Sequence, residues 1–213
     1  MHSSFREFLK TRLSQTLPGS VAQNKMRPLP ASSQDPTFMT YTPSSKSFKN
    51  SCVLVLFTTW HTELHLLLTL RTSGIKHGGQ ISFPGGGREG NETYEETALR
   101  EAYEETGVNI AQIETVGTLT PLYIAYSDNM VVPVVGFPDT HQHFVANQNE
   151  VEEIFSVPIS KLVGTSNLRK EEWIFNNIKH KVPFWDVHRV PLWGGTSMML
   201  SELVVLYEEF TQL

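Results

Sequence analysis

One segment restricts the fold more than any other: residues 85–108, GGGREGNETYEETALREAYEETGV, join a glycine-rich loop to clear helix signals. Thr93 is a suitable N-cap, and Glu96 follows it at the capping-box spacing. Gly107 stands where a glycine in the left-handed conformation commonly ends a helix. The segment therefore predicts a loop followed by a helix that begins after Thr93 and ends at Gly107.

Short apolar runs on both sides of this helix predict a sheet. Residues 51–57 and 64–71 predict a hairpin, and residues 79–87 predict a brief strand that runs into the glycines. Further along the chain, strands are predicted at 113–124, 130–137, 173–176, 180–187 and 189–193, and a last helix at 196–210. Strands dominate the middle of the chain, which is typical of an α/β or α+β sandwich with a mixed sheet.

The first fifty residues differ from the rest in composition and in apolar pattern. Residues 4–17 have the apolar spacing of a short amphipathic helix, and residues 18–50 are rich in Pro, Ser, Thr and Asn, which predicts an extended arm or loop. We therefore expect an N-terminal helix and arm over residues 1–50 and one domain over residues 51–213.

Charge and composition exclude several classes of protein. The formal net charge of −5 argues against a general nucleic-acid binder, which would carry an excess of Lys and Arg. No window approaches the roughly 18 apolar residues of a membrane span. The single cysteine, Cys52, forms no intrachain disulfide and is expected to be a small buried apolar residue. We expect a cytoplasmic protein with a small-molecule partner, no nucleic acid and no membrane; the oligomeric state is left open, with a homodimer as one alternative.

Like charges are crowded onto the predicted helix. Seven glutamates lie between Glu89 and Glu105, with Arg100 as the only arginine among them. On a helix, Glu101 and Glu105 share a face and repel each other by a few tenths of a kcal/mol (~0.2–0.5), while Glu104 flanks that face four residues after Arg100. A row of carboxylate oxygens suits a hard cation such as Mg²⁺ or Mn²⁺, which would remove the repulsion. The alternative is a solvated acidic surface.

The preceding glycines add to the metal hypothesis. Backbone carbonyls of a glycine-rich loop can approach a cation closely. Mg²⁺ usually keeps several waters, which leaves room for substrate phosphates. The segment therefore fits hydrolysis at phosphorus, with a metal neutralising charge and carboxylates orienting or deprotonating water.

The spacing of these residues matches the pattern Gx5Ex7REUxEExGU, where U is a bulky apolar residue. The matching residues are Gly86, Glu92, Arg100, Glu101, Glu104, Glu105, Gly107 and Val108, with the smaller Ala102 at the first U. The segment resembles the Nudix box. The resemblance implies an α/β/α sandwich with a mixed sheet, in which the box forms a loop, a helix and a second loop, and hydrolysis of a nucleoside diphosphate linked to another group.

The same resemblance implies roles for the residues of the box. Glu101 and Glu105 would be the main metal ligands, with Glu104 close by and the Gly86 carbonyl contributing. Arg100 would hold the glutamates in place, and Glu92 would brace the loop.

Sequence around the box resembles the coenzyme A pyrophosphatases. Residues 67–86, LLTLRTSGIKHGGQISFPGG, are similar to the motif upstream of the box in that subfamily, and residues 133–137 and 192–200 are similar to its later segments. The chain is one residue shorter after the first arginine and has only Lys76 near the place of a second one. The implied reaction converts coenzyme A or its acyl form to 3′,5′-ADP and 4′-phosphopantetheine. The alternatives are ADP-ribose, NADH or another nucleoside diphosphate derivative as substrate, and a non-enzymatic binding module.

Residues outside the box are candidates for substrate binding and for the base. If the chain runs as in the family, Arg71, Lys76 and His77 would meet the diphosphate or the 3′-phosphate; for Lys76 and His77 the alternative is a solvated loop. Glu150 in NEVEEIF is a candidate general base, and Glu104 competes with it. Alternatively, the carboxylates after residue 149 cap the following turn.

Overall fold

The computed structural model describes residues 2–32, 48–60, 63–75, 77–175 and 177–213. Within these ranges the chain forms four helices and eleven strands. The helices are α1 (His2–Arg12), α2 (Gly19–Gln23), α3 (Tyr94–Thr106) and α4 (Gly194–Thr211). The strands are β1 (Leu29–Pro30), β2 (Lys49–Trp60), β3 (Glu63–Arg71), β4 (Ile81–Ser82), β5 (Gly85–Gly87), β6 (Ile113–Thr118), β7 (Leu122–Ile124), β8 (Asn129–Pro138), β9 (Val151–Pro158), β10 (Leu168–Phe175) and β11 (Ile178–Trp185). None of the described helices is long and apolar enough to cross a membrane.

The central sheet is mixed. Its main order is β4-β3-β2-β8-β6, while β5 pairs with β2, β7 with β8 and β9 with β3. The pair β2–β8 is parallel and the other pairs are antiparallel. A second, three-stranded sheet has the order β1-β11-β10. The predicted α/β fold with a mixed sheet is confirmed.

Alternation along β2 separates two apolar layers, because successive side chains of a strand point to opposite faces. Cys52, Leu54 and Leu56 pack with α3 on one face. Val55 and Phe57 pack on the other face, in the cluster that contains α1 and α4. The sheet is therefore covered by helices on both sides, which makes the three layers of an α/β/α sandwich.

The N-terminal helix packs directly on this sandwich. Phe5 and Leu9 of α1 are fully buried, and the Phe5 ring meets the rings of Phe57 and Tyr207 edge-on. Residues 18–32 are not simply extended, since α2 and a 3-10 turn (Asn24–Met26) precede β1. Residues 33–47 of the predicted arm lie outside the described residues. The division of the chain at residue 50 stays a prediction.

Two prolines lie at points where the strand pairing is interrupted. The predicted strand over 189–193 is wrong: only a single bridge joins Leu192 to Trp185, and Pro191 has no N–H for a regular ladder. Pro133 lies within β8, opposite the break between β6 and β7, so its missing N–H interrupts no strand pairing on that side.

Candidate active site

Helix α3 begins and ends as predicted. The Thr93 hydroxyl accepts a hydrogen bond from the Glu96 N–H at 3.2 Å, and the Glu96 carboxylate accepts one from the Thr93 N–H at 2.7 Å, which completes a capping box. Gly107 closes the helix with φ at 65°. A cap of this kind contributes about 1 kcal/mol, so both ends of α3 are fixed by local chemistry.

The glycines of β5 bring the backbone against α3. Gly86 pairs with Cys52 of β2, and a Cβ atom at Gly86 would overlap the Glu101 carboxylate. A Cβ at Gly85, where φ is 157°, would overlap the backbone of β2. No residue with a side chain fits at either position without movement, and the Gly86 backbone therefore lies directly beside Glu101.

Glu105 is the most deeply buried carboxylate of the cluster, with 1% of its side chain exposed. Its Oε1 accepts a hydrogen bond from Arg71 Nη1 at 3.0 Å, and its Oε2 accepts one from the Gly85 N–H at 3.1 Å. Burial raises the pKa of Glu105 to about 7, although the Arg71 guanidinium opposes the shift. Burial therefore disfavours the charged form of this carboxyl more than Arg71 favours it.

Glu101 is the second carboxylate on the same face. Burial raises its pKa, Arg100 opposes the shift, and the charges of Glu104 and Glu150 add to it. The charge of Glu150 also raises the pKa of Glu105. Glu150, from the turn before β9, is therefore within electrostatic reach of both carboxylates.

Arg100 joins the loop to the helix. Its Nε and Nη2 donate to the two oxygens of Glu92 at 2.7 and 3.1 Å, and Nη2 also donates to the Gly87 carbonyl at 2.9 Å. Its Nη1 donates to Glu101 at 2.9 Å and to Glu104 at 3.3 Å. The hydrogen bonds from Arg100 hold the pKa of Glu92 at about 2. One guanidinium thus links three glutamates and the glycine strand.

The structure brings most of the predicted site residues together. The contacts described above join Gly86, Arg71, Glu92, Arg100, Glu101, Glu104 and Glu105, with Glu150 nearby. His77 is exposed in the loop after β3 and has a positive φ of 59°. Lys76 lies outside the described residues.

Two supports were not predicted from the sequence. Thr97 is fully buried, and its hydroxyl donates to Glu92 at 3.0 Å, which braces the carboxylate that Arg100 binds. The contact of Arg71 with Glu105 joins β3 to α3. No sequence signal reveals either contact, because each depends on how the sheet brings distant segments together.

The donor set fits a hard divalent cation in type. Carboxylate oxygens and a glycine carbonyl are ligands that Mg²⁺ prefers, and burial raises the pKa of Glu101 and of Glu105, so a cation beside them would favour their charged forms. Among the described residues, however, no three His, Cys, Asp or Glu side chains converge as a ready metal-binding group. Each oxygen of Glu105 accepts one hydrogen bond and keeps a second lone pair with which it could bind a cation.

Comparisons with known proteins agree with this geometry. Residues 49–178, more than half of the chain, match the NUDIX domain family. The chain belongs to the Nudix family. Nudix hydrolase 3 of Caenorhabditis elegans is 31% identical over 173 residues, which cover 72% of this chain and 71% of that protein. The peroxisomal coenzyme A diphosphatase NUDT7 of Mus musculus is 42% identical over 99 residues, which cover 46% of this chain and 42% of the mouse protein.

Solved structures support the Nudix fold independently. A Nudix hydrolase from M. smegmatis, RenU, superposes with a TM-score of 0.56 at 19% identity, covering 76% of this chain and 86% of RenU. The NUDIX domain of Shewanella oneidensis NrtR, solved with ADP ribose, has a TM-score of 0.51 at 21% identity, covering 79% of this chain and 92% of that domain. The predicted family is confirmed: the chain is a Nudix hydrolase of nucleoside diphosphate derivatives, and such hydrolases generally need divalent metal ions.

Proposed function

We propose that this Nudix hydrolase cleaves the diphosphate bond of coenzyme A or its acyl derivatives, giving 3′,5′-ADP and 4′-phosphopantetheine or its acyl form. The observation that carries the hydrolytic part is the buried Glu105 beside Glu101, in a cluster that includes Arg71. Two further observations support the substrate: the similarity of residues 67–86 to the coenzyme A pyrophosphatase motif, and the partial match to a relative named as a coenzyme A diphosphatase.

The proposed metal ligands are Glu101, Glu105 and the Gly86 carbonyl, and the proposed ion is Mg²⁺ or Mn²⁺. When bound, such an ion supplies positive charge to phosphate oxygens and lowers the pKa of water. Arg100 is the proposed positioning residue, since it holds Glu92, Glu101 and Glu104 in fixed relation to the glycine strand.

The remaining roles concern phosphate and water. The Arg71 guanidinium can donate to diphosphate oxygens while it stays beside Glu105. Lys76 and His77 are the other proposed substrate-binding residues. Glu150 and Glu104 are the candidate general bases. We favour Glu150, because its backbone carbonyl accepts a hydrogen bond from the Thr72 N–H at 2.9 Å, next to Arg71, whereas Glu104 is ion-paired with Arg100.

ADP-ribose, NADH and other nucleoside diphosphate derivatives are the alternative substrates, and the chain's departure from the subfamily motif near Lys76 favours them. A non-enzymatic binding module is disfavoured because the complete glutamate set is present. The cytoplasm stays the proposed location, since the lone buried cysteine needs no oxidising compartment.

A substrate panel tests the proposal. Coenzyme A, acetyl-coenzyme A, ADP-ribose and NADH are incubated with the chain in Mg²⁺ and in Mn²⁺, and the products are identified by mass. We expect 3′,5′-ADP and 4′-phosphopantetheine from coenzyme A, at the highest kcat/KM of the panel. Equal turnover of coenzyme A and ADP-ribose would overturn the proposed specificity and leave the hydrolase assignment intact.

A further inference from the structure

A cavity lies away from the carboxylates, with a volume of about 600 Å³. That volume is within the range of small-molecule sites, roughly 300–1,000 Å³. Apolar surface comes from Leu67, Phe144 and Ile154, and hydroxyl groups come from Thr140 and Ser156. The cavity thus offers apolar contacts together with a few neutral hydrogen-bonding groups.

The cavity and the carboxylate cluster lie along the same strand and on the same face of the sheet. Leu67 precedes Arg71 by four residues on β3, so both side chains point toward the α3 side. Ile154 of the neighbouring strand β9 pairs with Thr69, between them. At about 3.3 Å per residue, the cavity begins roughly 13 Å from Arg71.

The charged groups that line the cavity favour a neutral ligand over a phosphate. Its described residues include neither Lys nor Arg; the charged or ionisable side chains are the carboxylate of Asp139 and the imidazole of His141. A phosphate group is disfavoured there, because anion sites normally use Arg, Lys or helix N-termini, and the Asp139 carboxylate beside His141 would repel it. A neutral chain with amide and hydroxyl groups suits the hydroxyls of Thr58, Thr140 and Ser156.

We propose that this cavity binds the pantetheine arm of the substrate. The inference rests on the proposed coenzyme A hydrolase function and adds which end of coenzyme A occupies which part of the protein. The arm is neutral, carries two amides, a hydroxyl and two methyl groups, and is attached directly to the diphosphate. The two methyl groups lie next to the diphosphate, so the amide-bearing end of the arm is the part that reaches Phe144 and Ile154. The 3′-phosphate stays outside the cavity, on the side of Arg71.

Filling the cavity tests this assignment. Ser156 is exposed at the cavity wall, so Ser156→Phe adds bulk there, at the loss of one hydrogen bond between the Ser156 hydroxyl and His65 Nδ1. Ser166→Phe, at an exposed turn outside the cavity, is the matched control. Binding of D-pantetheine and, separately, of 3′,5′-ADP to each full-length variant is measured by ligand-observed NMR, and KM and kcat are measured for coenzyme A. Thr140→Trp replaces Ser156→Phe if a thermal melt shows that the latter does not fold.

The expected result is loss of pantetheine binding in Ser156→Phe with 3′,5′-ADP binding retained, and a rise in KM for coenzyme A of about tenfold with kcat little changed. The Ser166→Phe variant should bind both probes like the unmodified chain. Pantetheine binding that survives in both cavity variants, or loss of 3′,5′-ADP binding instead, would overturn the assignment. If pantetheine binds as expected but coenzyme A is not hydrolysed, the cavity assignment stands and the proposed function fails.

Discussion

Glu105 shows what burying an acid does to a single residue. Its folded pKa of about 7 lies above the ordinary value of 4.5, so the folded protein binds this proton more tightly than the unfolded chain. The contribution of Glu105 to the free energy of unfolding is therefore fully present below pH 4.5 and is lost as the pH rises through 7. A nearby cation would reverse this effect by favouring the charged form.

Glu105→Gln should lower kcat/KM by about 10²–10³, a loss typical of removing one key electrostatic group. The neutral amide should also raise the melting temperature at pH 8 without metal, and weaken the fall in stability between pH 5 and 8. Glu95→Gln, an exposed change on the same helix, is the control for both measurements. Full activity in the Glu105 variant would remove this residue from the proposed metal site.

Cys52 should be chemically inert in the folded protein. Its side chain is fully buried, and burial raises the pKa of the thiol to about 11. Because the thiolate is the reactive form, iodoacetamide at pH 8 should leave the native thiol unmodified over a period in which the urea-unfolded chain reacts completely. Mass spectrometry of intact protein measures both rates, and similar rates would contradict the burial of Cys52.

At the level of elements, the loop and helix of the Nudix box depend on one guanidinium. Arg100→Lys keeps the charge but loses the fork that holds Glu92 through two nitrogens. We expect a 10–100-fold fall in kcat/KM and a higher Mg²⁺ concentration for half-maximal rate, with an unchanged circular dichroism spectrum. Arg169→Lys on β10 provides the matched substitution away from the box. An unaltered Mg²⁺ dependence would argue against a positioning role for Arg100.

Helix α3 and the sheet were the parts that sequence could predict, for different reasons. Capping at Thr93 and Gly107 is local, so spacing alone located both ends. The contact between Arg71 and Glu105 was beyond such reasoning, because it depends on where β3 and β5 lie beside α3. The cavity beside Phe144 was missed for the same reason, since β2, β3, β9 and a loop must assemble before it exists.

For the whole molecule, the first question is whether α1 belongs to the same cooperative unit as the sheet. Phe5→Ala should lower the free energy of unfolding by about 3–5 kcal/mol, because the ring is fully buried against Phe57 and Tyr207. Urea denaturation measures this loss, with Val21→Ala as an exposed control. A stable N-terminal unit that unfolds separately would instead support the predicted division at residue 50.

Divalent metal should stabilise the entire domain. An ion at 100 times its Kd adds about 2.7 kcal/mol to the free energy of unfolding if it binds only the folded state. At roughly 2–4 °C per kcal/mol for a chain of this size, millimolar Mg²⁺ or Mn²⁺ should raise the melting temperature by several degrees. The rise should shrink in Glu105→Gln. A melting temperature that neither ion raises would count against the proposed carboxylate site.

The contacts between α1 and α4 affect the order in which the chain packs while it is being synthesised. Arg12 binds Glu209 through two hydrogen bonds across a sequence separation of 197 residues, and Phe5 packs on Phe210. The buried carboxylate of Glu202 similarly accepts a hydrogen bond from the Gly19 N–H at 2.8 Å. At a synthesis rate of about 5–20 residues per second, α4 is made roughly 10–40 s after α1. During that interval α1 can meet earlier partners such as Phe57 of β2, and its packing is complete only when α4 emerges.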